Sequence, residues 1–197
     1  MKKVIFVKII LFLLLSLLIS CKNSSDIKTT TDSSNDTTQV IKKSIDKRQK
    51  LKEVYTSQIG IREVGSNRGK DIFRYQKSAG VKSGMPWCGS FVWFCYKEAG
   101  LSPDIKGPAR AANWFINKDK IIIVRGEIKK RKAQSGDVIG VSYSKGINHV
   151  GFYDAESDKF YLTVEGNTGG ERTDPGEGVY RLKRVKRQVL YVANHID

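Results

Sequence analysis

The chain has 197 residues and 35 Lys and Arg against 20 Asp and Glu, a formal charge of +15. That length fits one domain plus attachments. The charge favours polyanions such as anionic lipid, nucleic acid or a negatively charged cell wall, or else a solvated basic surface. No recognition helix or aromatic-rich motif accompanies it, so a nucleic-acid reader is not indicated.

The N-terminus begins with Lys2 and Lys3 and continues as an apolar run over residues 4–19, interrupted by Lys8 and Ser16. A basic start, a short apolar stretch and small residues form a secretory signal, too short and wrongly flanked for a stable span. Its ending, Leu18-Ile19-Ser20-Cys21, resembles a bacterial lipobox. That resemblance implies cleavage after residue 20 and lipidation of Cys21, with about 0.8 kcal/mol of membrane affinity per buried CH₂. Residues 22–39 are rich in Ser, Thr, Asp and Asn and read as a disordered tether. The expected organisation is a signal peptide over 1–20, a tether over 21–45 and a folded domain over 46–197.

Within the domain, apolar spacing predicts helices over about 44–59, 70–78, 87–99 and 109–117. Gly60, Gly80 and Gly100 serve as stops for the first three. Short β-branched or aromatic runs follow at 121–125, 137–142, 148–154, 160–165, 179–183 and 189–195. Helices first and strands after give an α+β domain, with helices packed on an antiparallel sheet or half-barrel.

Lipidation of Cys21 would leave two thiols, Cys88 and Cys95. Export invites a disulfide. Seven residues of helix, however, rise about 10.5 Å, and bridged Cα atoms lie within about 7 Å. Both thiols are therefore expected free. Cys88 opens the third helix, after Pro86, where outward N–H groups favour a thiolate. Cys95 lies among Phe91, Val92, Phe94 and Tyr96 and reads as a packing thiol. Position alone leaves Cys88 as either nucleophile or core.

A thiolate nucleophile wants a base, and the chain has two histidines. His195 is third from the end. His149 lies in a strand pattern that places His149, Gly151 and Tyr153 on one face. In the next run Tyr161, Thr163 and Glu165 share a face. An antiparallel hairpin would bring Glu165 beside His149, where a carboxylate orients an imidazole. Asn167 is a second candidate partner.

Pro86-Trp87-Cys88-Gly89-Ser90-Phe91-Val92, Ser135-Gly136-Asp137-Val138-Ile139, Asn148-His149-Val150-Gly151-Phe152-Tyr153 and Val164-Glu165-Gly166-Asn167-Thr168 occur in that order. Together they resemble the CHAP family, the cysteine, histidine-dependent amidohydrolases and peptidases. Ile59-Gly60-Ile61-Arg62-Glu63 and Gly65-Ser66-Asn67-Arg68-Gly69 resemble the approach segment of bacterial members. The similarity runs from about residue 51 to the C-terminus.

The resemblance implies a papain-like fold. It also implies Cys88 as nucleophile, His149 as base, Glu165 as orienting acid and Asn167 as an accessory polar residue. Asp137 matches a family position and reads as structural. Trp87 is a candidate cleft wall, with core packing as the other reading, and the Cys88 backbone N–H is a candidate oxyanion donor. Some family members bind calcium ahead of the cysteine. Residues 79–85 hold no Asp or Glu, so neither metal nor cofactor is expected. Glu171, Asp174 and Glu177 fall in residues 169–178, read as a mobile hairpin loop.

Family, export and charge together imply peptidoglycan hydrolysis at the muramoyl–alanine amide or at a peptide bond. The expected protein is a monomer, lipid-anchored at the membrane and without a nucleic-acid partner. Lys22 in place of Asp leans toward an outer membrane where the host has two. The alternatives are a non-catalytic lipoprotein that binds wall or a protein partner on the same fold, and a polyanion binder.

Overall fold

The computed structural model describes residues 32–143, 145–170 and 176–197. The expected signal segment, Cys21, the start of the expected tether, Glu171 and Asp174 lie outside them. The described chain is an α+β domain of three α-helices and one seven-stranded antiparallel sheet.

Helix α1 (Asp32–Ser57) begins well before the expected position near residue 44. Its leading residues lack apolar side chains, so periodicity gives no signal there. Yet Asp and Ser are also the residues that suit a helix N-terminus. Val40, Ile41 and Ile45 on this leading half are exposed, whereas Arg48, Leu51 and Tyr55, spaced for one face, are buried. The helix is therefore anchored by its C-terminal half.

Helix α2 (Lys70–Ser78) spans the expected residues and buries Ile72, Tyr75 and Gln76. Helix α3 (Cys88–Glu98) has no solvent face over its first half. Residues 88–92 are all buried, so α3 is the central helix, packed between α1, α2 and the sheet. The expected fourth helix is a five-residue 3₁₀ turn, Ala111–Phe115. Asn113 Nδ2 donates back to Lys106 O at 2.8 Å, and Trp114 Nε1 donates to Pro108 O at 2.8 Å. These bonds fasten the segment as a tight turn.

The strands are β1 (Ile121–Val124), β2 (Glu127–Ile128), β3 (Val138–Val141), β4 (His149–Glu156), β5 (Phe160–Gly169), β6 (Glu177–Val185) and β7 (Val189–Ala193). Their order in the sheet is β2-β1-β7-β3-β4-β5-β6. Strand β2 was not expected. It forms because Arg125 and Gly126, at φ of 48° and 84°, make a two-residue hairpin turn between Val124 and Glu127.

The central strands β3 and β4 are buried on both sides, whereas β2 is exposed. Val138, Val150, Phe152 and Val164 join the helices in the main core. Ile139, Val141, Tyr153, Tyr161 and Val192 form a second cluster with Ile122 and Ile123. Tyr55 of α1 stacks on Phe152 of β4 with centroids 4.6 Å apart, which fixes α1 against the strand that carries His149. Asp137 is wholly buried and held by Arg48 at 2.9 Å and Arg131 at 2.8 Å, a structural cross-link between α1 and the start of β3.

Candidate active site

Cys88 is the first residue of α3, 7 % exposed at the floor of a 660 Å³ cleft. The wall of this cleft comes from Glu63, Asn67, Pro86, Tyr143, His149 and Glu177, among others. The start of α3 has no capping side chain of its own. The preceding backbone is instead held from the sheet: Asn167 Oδ1 accepts the Trp87 N–H at 2.7 Å. Gly166 makes this approach possible, since a Cβ there would lie 2.6 Å from the Trp87 ring and 2.8 Å from Phe91. Strand β5 can press on α3 only because residue 166 has no side chain.

Asn167 therefore does not orient His149, the role for which it was a second candidate. Strand β5 continues past the expected end, bulges against β6 between Glu165 and Thr168, and puts Asn167 at φ 58°. The bulge aims its side chain at α3. The Nδ2 group donates to Glu177 Oε2 at 2.6 Å and to Asn67 Oδ1 at 3.2 Å, so one amide joins three segments of the cleft. Trp87 is fully buried and is not a cleft wall. Its ring packs on Tyr75 and Phe91, and its Nε1 donates to Glu63 Oε1. Gln76 fastens the neighbouring loops, donating to Asn67 O at 3.0 Å and Met85 O at 2.6 Å.

His149 opens β4, is 5 % exposed and faces the same cleft. Cys88 lines the cleft with it and is near enough to act on the charge of its imidazole. On β5, Glu165 is fully buried, and its Oε2 lies 2.8 Å from His149 Nε2. The antiparallel β4–β5 pairing brings them together, as the alternation predicts. Gly151 again permits the approach: a Cβ there would sit 2.5 Å from Glu165 Cγ. The Nε2–Oε2 contact is an ion pair without the direction of a straight hydrogen bond.

The orientation of that carboxylate is set elsewhere. Arg184 of β6 donates Nε to Glu165 Oε1 at 2.9 Å and Nη2 to Oε2 at 2.6 Å. Thr163 Oγ1 donates to Oε1 at 2.6 Å. Sequence reasoning did not select Arg184 or Thr163. Thr163 was placed on the correct face, but Arg184 stands in a run of basic residues that reads as solvated charge.

The electrostatics follow from these contacts. Burial alone would lower the pKa of His149, but its contacts with Cys88 and Glu165, and their charges, raise it to about 9. Burial would raise that of Glu165, but Arg184 and His149 bring it down to about 2. The imidazolium and the carboxylate are thus each stabilised in charged form. His195 is different: burial lowers it to about 4, and its Nε2 lies 2.8 Å from Trp114 O, outside the cleft lining. Burial pushes the thiol of Cys95 well up, and Cys88 and Cys95 are both free.

The cleft thus presents a sulfur, an imidazole beside it and a buried carboxylate behind the imidazole. That arrangement has the parts for nucleophilic attack on a carbonyl with proton transfer to a leaving group. Among the described residues, no three or more His, Cys, Asp or Glu converge to hold a metal ion. The chain matches no family model, no curated protein and no solved structure among those compared.

Proposed function

We propose that this chain is a cysteine amidohydrolase of the CHAP type, with a papain-like arrangement, acting on peptidoglycan. The observation that carries the reading is the convergence of three elements: Cys88 of α3 and His149 of β4 line one cleft, and Glu165 of β5 lies 2.8 Å behind the imidazole.

In the proposed cycle, the Cys88 thiolate attacks the amide carbonyl and forms a C–S bond. The Cys88 backbone N–H, in the first turn of α3, is free of intrahelical bonding and is the oxyanion donor. His149 gives its proton to the departing amine as the C–N bond breaks. Neutral His149 then takes a proton from water as it attacks the thioester carbonyl; the C–S bond breaks, the carboxylic acid leaves, and the thiolate and imidazolium are restored. Glu165 stabilises the imidazolium each time it forms.

The substrate is a carbonyl–nitrogen bond in the wall, either the muramoyl–alanine amide or a bond of the stem or crossbridge. The net charge, +15 for the whole chain and +12 once Lys2, Lys3 and Lys8 are cleaved away, supports approach to an anionic wall. The N-terminal motif supports export and anchoring through lipidated Cys21.

The test is digestion of purified peptidoglycan by the full-length protein in detergent beside Cys88→Ala, with mass spectrometry of the released fragments. Products from the wild type alone establish the nucleophile, and their new termini identify the bond. Absence of products across several peptidoglycan types, with Cys88 slow toward an alkylator, overturns the reading. Wall binding without cleavage would then point to the non-catalytic lipoprotein.

A further inference from the structure

Glu165 is the most constrained carboxylate in the cleft region. It is fully buried, and its oxygens accept two bonds from one guanidinium and one from the Thr163 hydroxyl. A paired fork of this kind fixes a carboxylate in plane and keeps it ionised in surroundings that would otherwise protonate it. The directed hydrogen bonds of Glu165 come from Arg184 and Thr163. The Arg184 bonds are directed, while the His149 contact is close but off-line.

Arg184 is itself enclosed, with its side chain 14 % exposed. It lies over the Tyr143 ring at 5.6 Å, and Tyr143 lies against His149 with centroids 6.2 Å apart. The charged and titratable groups facing Glu165 come from every packed element. They are His149 of β4, Arg184 of β6 and Tyr143 of the β3–β4 connection, and Cys88 of α3 acts on His149 in turn. The last is a phenol that burial pushes above its ordinary value, so it stays neutral through the middle pH range.

We propose that Arg184 is a positioning residue for the Cys88–His149 pair, acting through Glu165: its fork fixes the carboxylate, and its charge sets the pH range in which the pair is reactive. This rests on the catalytic reading above. The sign follows from charge alone. A cation behind the carboxylate offsets part of the negative field at His149 and at Cys88. Removing it makes each group hold its proton more tightly. Both limbs of a bell-shaped rate profile then move up in pH. A residue that served only to support the fold would lower the active fraction and leave both limbs in place.

The experiment is the pH dependence of Cys88 alkylation by iodoacetamide in the full-length protein, localised by mass spectrometry of the Cys88 peptide and run beside the pH–kcat/KM profile. The variants are Arg184→Gln and Arg184→Lys, with thermal unfolding recorded for each. Arg184→Gln is expected to move both limbs up by about one pH unit and to lower kcat more than it changes KM. Arg184→Lys keeps the charge and loses the fork, so its limbs stay in place while its rate falls.

Folded Arg184→Gln with unmoved limbs overturns the proposal. So does Arg184→Lys with limbs displaced upward or with an unchanged rate, and this second variant decides the matter if the first does not fold. The wild-type profile separates this failure from failure of the catalytic reading. If wild-type Cys88 alkylates only as an unassisted thiol does, its rate rising through about pH 8.5, then the catalytic pair itself is absent.

Discussion

Gly151 touches neither the thiol nor the imidazole, yet Gly151→Ala is expected to disable the site. An added Cβ would lie 2.5 Å from Glu165 Cγ, 3.0 Å from Val164 O and 3.2 Å from Glu165 Cβ. Unbonded carbons rest at about 3.5–4.0 Å, so the Glu165 side chain must retreat by about 1 Å. It cannot retreat freely, because Arg184 and Thr163 hold both carboxylate oxygens. Movement therefore falls on the 2.8 Å contact with His149. A displacement of this size is expected to lower kcat/KM about 100-fold, equivalent to about 2.7 kcal/mol of transition-state stabilisation. Overpacking adds a stability cost of about 1–3 kcal/mol. The assay is peptidoglycan hydrolysis under substrate-limited conditions, well below the melting temperature of the variant, with denaturant unfolding run in parallel. A folded Gly151→Ala protein with wild-type kcat/KM would refute the claim that Glu165 acts through its contact with His149.

Asn167→Ala removes the acceptor for the Trp87 N–H, and turnover and Cys88 alkylation are both expected to fall about tenfold, the size of one net hydrogen bond; equal alkylation rates in variant and wild type would exclude a positioning role. Cys95→Ala deletes a buried sulfur and is expected to cost about 1–2 kcal/mol of stability while turnover per folded molecule is unchanged, as read by denaturant titration and hydrolysis rate. For His149 the folded pKa of about 9 lies above the 6.5 of the free group, so its contribution to stability is full below pH 6.5 and is lost as pH rises through 9. Unfolding titrations at pH 6 and pH 9.5 are expected to show a loss in the wild type that shrinks in His149→Gln, and an equal loss in both would reject the assignment.

The parts of the candidate site visible in the sequence are those governed by local periodicity. Alternation along β4 and β5 puts His149 and Glu165 on corresponding faces, and a hairpin is enough to bring them together. Pro86 and the apolar run after it place Cys88 at a helix start. Arg184 is invisible to such reasoning, because its role depends on the pairing of β6 with β5, where it stands opposite Tyr161. Nothing in residues 181–187 separates one inward-turned cation from its solvated neighbours. Asn167 was visible as a residue type but not as a position, since a one-residue bulge decides which way it points. The start of α1 and the Arg125-Gly126 hairpin were missed for lack of apolar pattern in one and of the usual Asn-Gly pair in the other. Helix α2 shows the opposite case, with a clear apolar face and a glycine stop that together mark its ends.

The hydrogen bond from the Trp87 N–H to Asn167 has a consequence for how the proposed site is assembled. Eighty residues separate its two ends, and the loop between them must close before α3 receives its cap. The imidazole and the carboxylate also come from strands laid down long after the thiol. A chain with the helices built but the sheet unfinished carries Cys88 without His149 and without the backbone clamp beside it. The proposed reactivity is thus coupled to long-range pairing, and a half-made molecule holds an idle sulfur.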